Sequence, residues 1–182
     1  MNTETKKILL FEYLVYRLIE WYKDCASNQQ NINNHFSRLT TLKLLFFVST
    51  IKDAENENRD LLDIFGSFCA MQYGPVEIDI YTAIVNGRTM LYTFGVHELV
   101  QTTQDHSILE SIDPQYKHRI DKAILLLKEK NPKIVSYPAS LLIDISHKWE
   151  AWQNAMSIAS FLGKRSGYMP IDAIRANRQF YE

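Results

Sequence analysis

Glycine and proline are scarce, six and five in 182 residues. A chain so short of turn formers is poorly suited to the many tight reversals of a β-sandwich or barrel, and it favours long helices. Two cysteines, Cys25 and Cys69, stand apart from each other and from any paired-ligand spacing. They make neither a disulfide framework nor a zinc motif, and reduced thiols in a cytoplasmic protein are the reading they favour. No stretch of eighteen apolar residues is present, which argues against a membrane span. The sequence also lacks HExxH, a Gly-rich phosphate loop and a GxSxG elbow, so no catalytic, metal or cofactor motif is legible and a non-enzymatic protein is expected.

The opening MNTETKKILLFEYLVYRLIEWYKD is basic and then apolar, as a signal peptide would be. Glu12, Arg17 and Glu20 interrupt the apolar part and no small-residue cleavage site follows, so the segment reads as an amphipathic helix of the mature protein over residues 4–25. A polar, Asn-rich loop over 26–37 follows it within the same domain. Composition, 46% hydrophobic and 23% charged, is that of a single globular domain.

The stretch TTLKLLFFVSTI, residues 40–51, leaves almost no polar face and predicts a buried central helix, capped by Thr40 or Thr41 and running on through Lys52 and Ala54 before fraying at ENENRD. Residues 61–72 read as a short helix. At MQYGPVEIDIY, residues 71–81, Gly74 supplies a sharp turn and Pro75 suits the first position of a helix. Glu77 and Asp79 sit near its positive end, Val76, Ile80 and Ile84 form its stripe, and Asn86-Gly87 ends it. Residues 88–107 predict a short helix around 96–101 or irregular backbone. Asp113-Pro114 opens a helix with Tyr116, Ile120, Ile124 and Leu127 inside and Pro132 as its stop. Another opens at Ser136 or Tyr137-Pro138 and runs on through HKWEAWQNAM, residues 147–156, or restarts after a kink near Ser146. A loop at 166–170 and a terminal helix with Ile171, Ile174 and Phe180 complete the expectation. The fold class is all-α or mainly α: one domain of about six to eight helices around the helix at 40–51.

Charge is uneven although the net is −1: residues 53–113 hold eleven Asp/Glu against two Lys/Arg, and residues 114–178 hold eleven Lys/Arg against five Asp/Glu. Two solvated faces within one domain account for this most simply; a partner surface of one sign is the sharper reading. Lys164, Arg165, Arg175 and Arg178 raise the possibility of nucleic-acid contact, but scattered charges belong more often to a solvated face.

His147, Trp149, Glu150 and Trp152 are the most suggestive polar cluster. On one helix His147 and Glu150 share a side, which would serve proton transfer in a small hydrolase or transferase; a core role for the tryptophans is the blander alternative. The helix over 140–156 is expected to pack on residues 75–84, leaving a groove with an aromatic floor for a partner's peptide or helix, and the acidic middle segment steers a basic partner.

Four segments together resemble the Panacea domain family, which includes SocA-like antitoxins and GepA-like phage-associated proteins. RLTTLKLLFF at 38–47 is similar to its opening LT-x-LKL helix. FCAMQYGPVEIDIY at 68–81 is similar to its alanine, GPV and tyrosine signature, through Ala70, Gly74, Pro75, Val76 and Tyr81, with Tyr73 beside the turn. SLLIDISHKWEAWQNA at 140–155 is similar to its SH…W segment, through Leu142, Ser146, His147 and Trp152. MPIDAI at 169–174 is similar to its last helix. The resemblance places a Panacea-like helical domain over 38–182. It implies a bacterial or phage-borne cytoplasmic antitoxin that binds the protein toxin of a neighbouring gene, in one branch by delivering it to an ATP-dependent protease, with no cofactor.

Overall fold

The computed structural model describes residues 3–25, 32–52 and 60–182. At its centre lies α3 (Arg38–Thr50), in which every residue from Thr40 to Thr50 is buried, Lys43 included. A helix that is apolar all round has no face to give to water, so the chain covers it from several directions. Its cap is Ser37, whose Oγ accepts the Thr40 N–H, and not Thr40 or Thr41. Thr41 instead donates its hydroxyl to the Phe36 carbonyl, and Thr50 to that of Phe46. The helix stops at Thr50, with Ile51 extended, so the expected run through Lys52 does not occur. Residues 53–59, which hold Ala54 and most of the expected fraying at ENENRD, lie outside the described residues. Of the loop expected over 26–37, residues 26–31 lie outside the described residues and 32–35 are helical.

Helix α1 (Thr3–Cys25) forms where expected, but its residues from Ile8 to Val15 are all buried, so along its middle it is enclosed on every side and only its ends are amphipathic. Glu12 is among the buried residues. The Glu12 Oε1 accepts the backbone N–H groups of Met90, Leu91 and Tyr92 at 2.6–3.2 Å. Desolvation pushes this carboxyl above its usual range, against the pull of the three donors. The short α2 (Ile32–His35) leads into α3.

The fold is mainly α and not strictly all-α: among the described residues, β1 (Phe68–Met71) pairs between β2 (Gly74–Glu77) and β5 (Gly167–Tyr168) in a three-stranded sheet, and β3 (Tyr92–Phe94) and β4 (Leu99–Gln101) form a separate hairpin. The helix expected over 61–72 does not form: residues 61–65 make a turn and strand β1 follows, while β2 replaces the expected helix start at Pro75. The two pair antiparallel from Phe68↔Glu77 to Met71↔Gly74 around Gln72 and Tyr73. Gly74 has φ 94°, while no described non-glycine residue has positive φ; this is the pattern of a turn closed by a left-handed glycine bulge. Pro75 is tolerated because β2 is an edge strand, where a missing N–H leaves no ladder bond unmade. Helix α4 (Ile78–Val85) begins only after Glu77, whose side chain caps it at the Ile80 N–H. The same carboxylate accepts the Ser67 N–H and pairs with Lys7 of α1 at 2.5 Å. Val76, Ile80 and Ile84 are buried, and α4 ends at Asn86-Gly87 as expected.

Strands β3 (Tyr92–Phe94) and β4 (Leu99–Gln101) occupy the stretch where a helix around 96–101 was the alternative to irregular backbone. Tyr92 and Phe94 on one face and Leu99 opposite are buried, so three-residue strands with one apolar side are what the pattern encodes. Helix α5 (Pro114–Lys130) opens as Asp113-Pro114 predicts, the Asp113 Oδ1 accepting the Gln115 N–H at 2.8 Å. Helix α6 (Ala139–His147) ends two residues before α7 (Glu150–Phe161) begins, so the restart falls at Lys148-Trp149. The loop at 166–170 contains β5 (Gly167–Tyr168), which pairs with β1; a Cβ on Gly167 would lie 2.3 Å from the Ala155 carbonyl oxygen, so only glycine lets β5 approach α7. After α8 (Ile171–Ala176), Asn177 turns its Oδ1 to the Ala151 N–H, and Tyr181 is buried. Phe180 lies beyond α8 and not in it.

Gly74→Ala puts a side chain at positive φ and its Cβ 2.3 Å from the Ser146 Oγ. A loss of about 2 kcal/mol is expected, from backbone strain plus displacement of Ser146. Thermal or urea unfolding checks it; a variant as stable as the parent rejects this turn geometry.

Candidate functional site

Of the residues singled out by sequence, Tyr73, Gly74, Pro75, Val76, Tyr81, His147 and Trp152 lie at or beside the β1–β2 hairpin, in two layers, while Trp149 and Glu150 do not. The inner layer begins with Lys43. Its Nζ donates to the Pro75 carbonyl at 2.5 Å and the side chain has no exposed surface. With no carboxylate to pair with, burial draws the ammonium down to about 7. A Cβ on Gly74 would be 3.1 Å from the Lys43 Nζ, which places the amine directly under the turn.

Ser146 and His147, at the end of α6, complete this layer. The Ser146 Oγ donates to the Ile143 carbonyl. The His147 ring stacks on Trp152, centroids 3.8 Å apart and planes 13° apart, and its Nε2 is buried without a hydrogen-bond partner. Burial, and then the nearby Lys43 charge, lower its proton affinity, while Asp144 and the Gln72 backbone oppose this. The neutral ring is therefore the favoured form at neutral pH. Trp152 donates its Nε1–H to the Met71 carbonyl at 3.0 Å, tying α7 to the hairpin.

The shared helical face proposed for His147 and Glu150 does not exist. His147 closes α6 and Glu150 opens α7, where it is exposed. Trp149 lies between them in the core, fully buried, with Nε1 donating to the Phe180 carbonyl and its ring 4.9 Å from Phe46. It presents nothing to a partner. The two tryptophans thus part company because the helix breaks, which the three-residue spacing on one continuous helix would not allow.

The outer layer is a surface groove of about 870 Å³. Tyr73, Val76 and Tyr81 line it with Leu42 of α3 and Met156 of α7; Arg38 and Arg165 also line it. Tyr73, 57% exposed, and Val96, 60% exposed, stand at its open side. Gly74 and Pro75 are buried beneath. His147, Trp149 and Trp152 do not line it, so its aromatic surface comes from the tyrosines. Sequence reasoning missed Lys43 as a buried group, because a lysine in an apolar run reads as a charge reaching out along the helix. It also missed Arg38 and Arg165 as neighbours. Among the described residues no group of three or more His, Cys, Asp or Glu is placed to hold a metal, and no helix is long and apolar enough to cross a membrane.

Set against known proteins, the chain matches no family model, no curated protein and no solved structure.

The buried amine has a measurable consequence. Its affinity for protons is lower folded than unfolded, where it has the ordinary value of 10.5. Between about 7 and 10.5 the unfolded chain therefore binds the extra proton, and folding stability rises with pH across that window. Relative to Lys43→Met, the parent should gain on the order of 3 kcal/mol from pH 7 to pH 10 in denaturant unfolding. Parallel pH profiles for the two proteins would show that Lys43 is solvated.

Proposed function

We propose that this chain is an antitoxin-like, protein-binding module of the Panacea kind, acting in the cytoplasm on a toxin encoded beside it. One observation carries the reading: the four segments that bear the resemblance, spread over more than a hundred residues, meet on one hairpin. Lys43 of the first segment bonds the Pro75 carbonyl of the second. Gly74 packs against Ser146 of the third, and Trp152 bonds Met71. Met169 of the fourth donates its N–H to the Phe68 carbonyl of β1.

The groove above this hairpin supports binding as the activity. Exposed tyrosine beside aliphatic side chains in a concave surface suits a protein partner, since aromatic side chains supply much of the energy at interfaces. Neutralisation follows either from covering the toxin's working surface or from presenting it to an ATP-dependent protease, as one branch of the resembled family does.

The test is expression of the neighbouring gene product with and without this chain. Growth arrest by the product alone, relieved by the parent, is expected. Tyr73→Glu, on an exposed turn that should still fold, is expected to weaken binding by about a hundredfold, through loss of an aromatic contact and burial of a charge. A product that is harmless alone removes the antitoxin reading.

A further inference from the structure

We propose that the groove receives an apolar segment carrying a carboxylate, which Arg38 and Arg165 hold; this rests on the reading of the chain as a protein-binding module and names the chemistry of the partner. Among the described residues that line the groove, the charged ones are Arg38 and Arg165, and none is Asp or Glu. The remainder of its lining is mostly aliphatic or aromatic, including Leu39, Met71 and Val96. Two positive charges beside an apolar wall, with no acidic residue among the described lining, make the groove attractive to an anionic group.

These two arginines are also uncommitted. Arg17 pairs with Asp121, Arg88 with Glu4, Arg119 with Asp63 and Arg175 with Asp60. Neither Arg38 nor Arg165 has an ion-pair partner among the described residues. Arg178, which does not line the groove, stands over the Phe180 ring. Arg38 is held in place without being neutralised: its backbone N–H donates to the Gly95 carbonyl at 2.9 Å and its guanidinium lies 5.7 Å from the Tyr81 ring centroid. A guanidinium positioned by a ring keeps its donors free for a carboxylate fork.

The sign is opposite to the basic partner that the acidic middle of the sequence suggests. Four acidic groups of that segment are paired away from the groove, Glu77 and Asp79 with Lys7, Asp60 with Arg175 and Asp63 with Arg119, and no described Asp or Glu of the segment lines it. What remains at the groove is basic. A volume of about 870 Å³ accommodates several side chains. An amphipathic segment presenting aromatic or aliphatic residues next to Asp or Glu therefore fits both its surface and its charge.

The experiment selects short random peptides displayed on phage against the immobilised full chain. The retained sequences are then synthesised with a fluorescent label and measured by anisotropy. Retained peptides are expected to combine Asp or Glu with aromatic or aliphatic residues. Their affinity should fall about tenfold or more in Arg38→Glu and in Arg165→Glu, and should weaken as salt is raised. Circular dichroism establishes that both variants are folded; Arg165 is exposed, so its replacement keeps the test open if Arg38→Glu does not fold. Retained peptides without acidic residues, equal binding by parent and variants, or no retained peptide overturns the proposal. A neighbouring gene product that ignores the chain while acidic peptides bind it removes the antitoxin reading and leaves the groove assignment. A toxin neutralised equally by parent and Arg165→Glu does the reverse.

Discussion

Lys43 reaches the Pro75 carbonyl from the middle of a helix that has no polar face, and that one bond decides where the hairpin can sit. An ammonium removed from water costs several kcal/mol even after the surroundings relax, and a single carbonyl returns only part of it. The amine responds by losing much of its hold on the proton, down to about 7. The Pro75 carbonyl is available because β2 is an edge strand, one side of which pairs with β1 while the other turns to α3. Gly74 must be glycine twice over: for its φ of 94°, and because the amine and the Ser146 hydroxyl press against it.

The hairpin is consequently a junction more than a sheet. Helix α6 brings Ser146 and His147 to it, α7 brings Trp152, and Met169, just after β5, donates its N–H to the Phe68 carbonyl. The Tyr73 turn projects from this rigid base into solvent, where it forms a wall of the groove. A binding surface gains from such support, because side chains already fixed lose less entropy when a partner arrives. The inner layer holds and the outer layer is free to contact.

Buried carboxylates act in a related way where backbone lacks regular partners. Glu12 collects three consecutive N–H groups at the entry to β3, and Glu77 collects those of Ser67 and Ile80 while facing Lys7. Asp60 accepts the Leu62 N–H and pairs with Arg175, joining the segment after α3 to α8. In each case one acidic side chain satisfies donors that a turn leaves open, which repays its desolvation in part. The Asp60–Leu62 and Glu77–Ile80 contacts are local, but those of Glu12 with residues 90–92, of Glu77 with Lys7 and of Asp60 with Arg175 join residues about seventy or more positions apart, and no local pattern announces them.

The sequence by itself determined the long elements. The apolar run at 40–51, the stripe of α1, the Asp113-Pro114 start and the Asn86-Gly87 stop all act within a turn or two of their own position, and propensity, capping and periodicity are local effects. The burial of Ile80 and Ile84 on α4 was legible for the same reason, whereas Val76 is buried on a strand and not on the helical stripe expected for it. Tertiary structure decided what those rules cannot reach. Strands of three or four residues carry too little periodicity to read, and Pro75 passes as a helix start until β1 is known to lie on one side of it only. Trp149 and Trp152 separate into core and hairpin because α6 ends at His147, a break fixed by the docking of Trp149 on Phe46 and Phe180. Lys43 is a surface charge in any local reading. It is buried because α3 is covered on all sides, and its amine is tolerable only where a carbonyl thirty-two residues away is waiting for it.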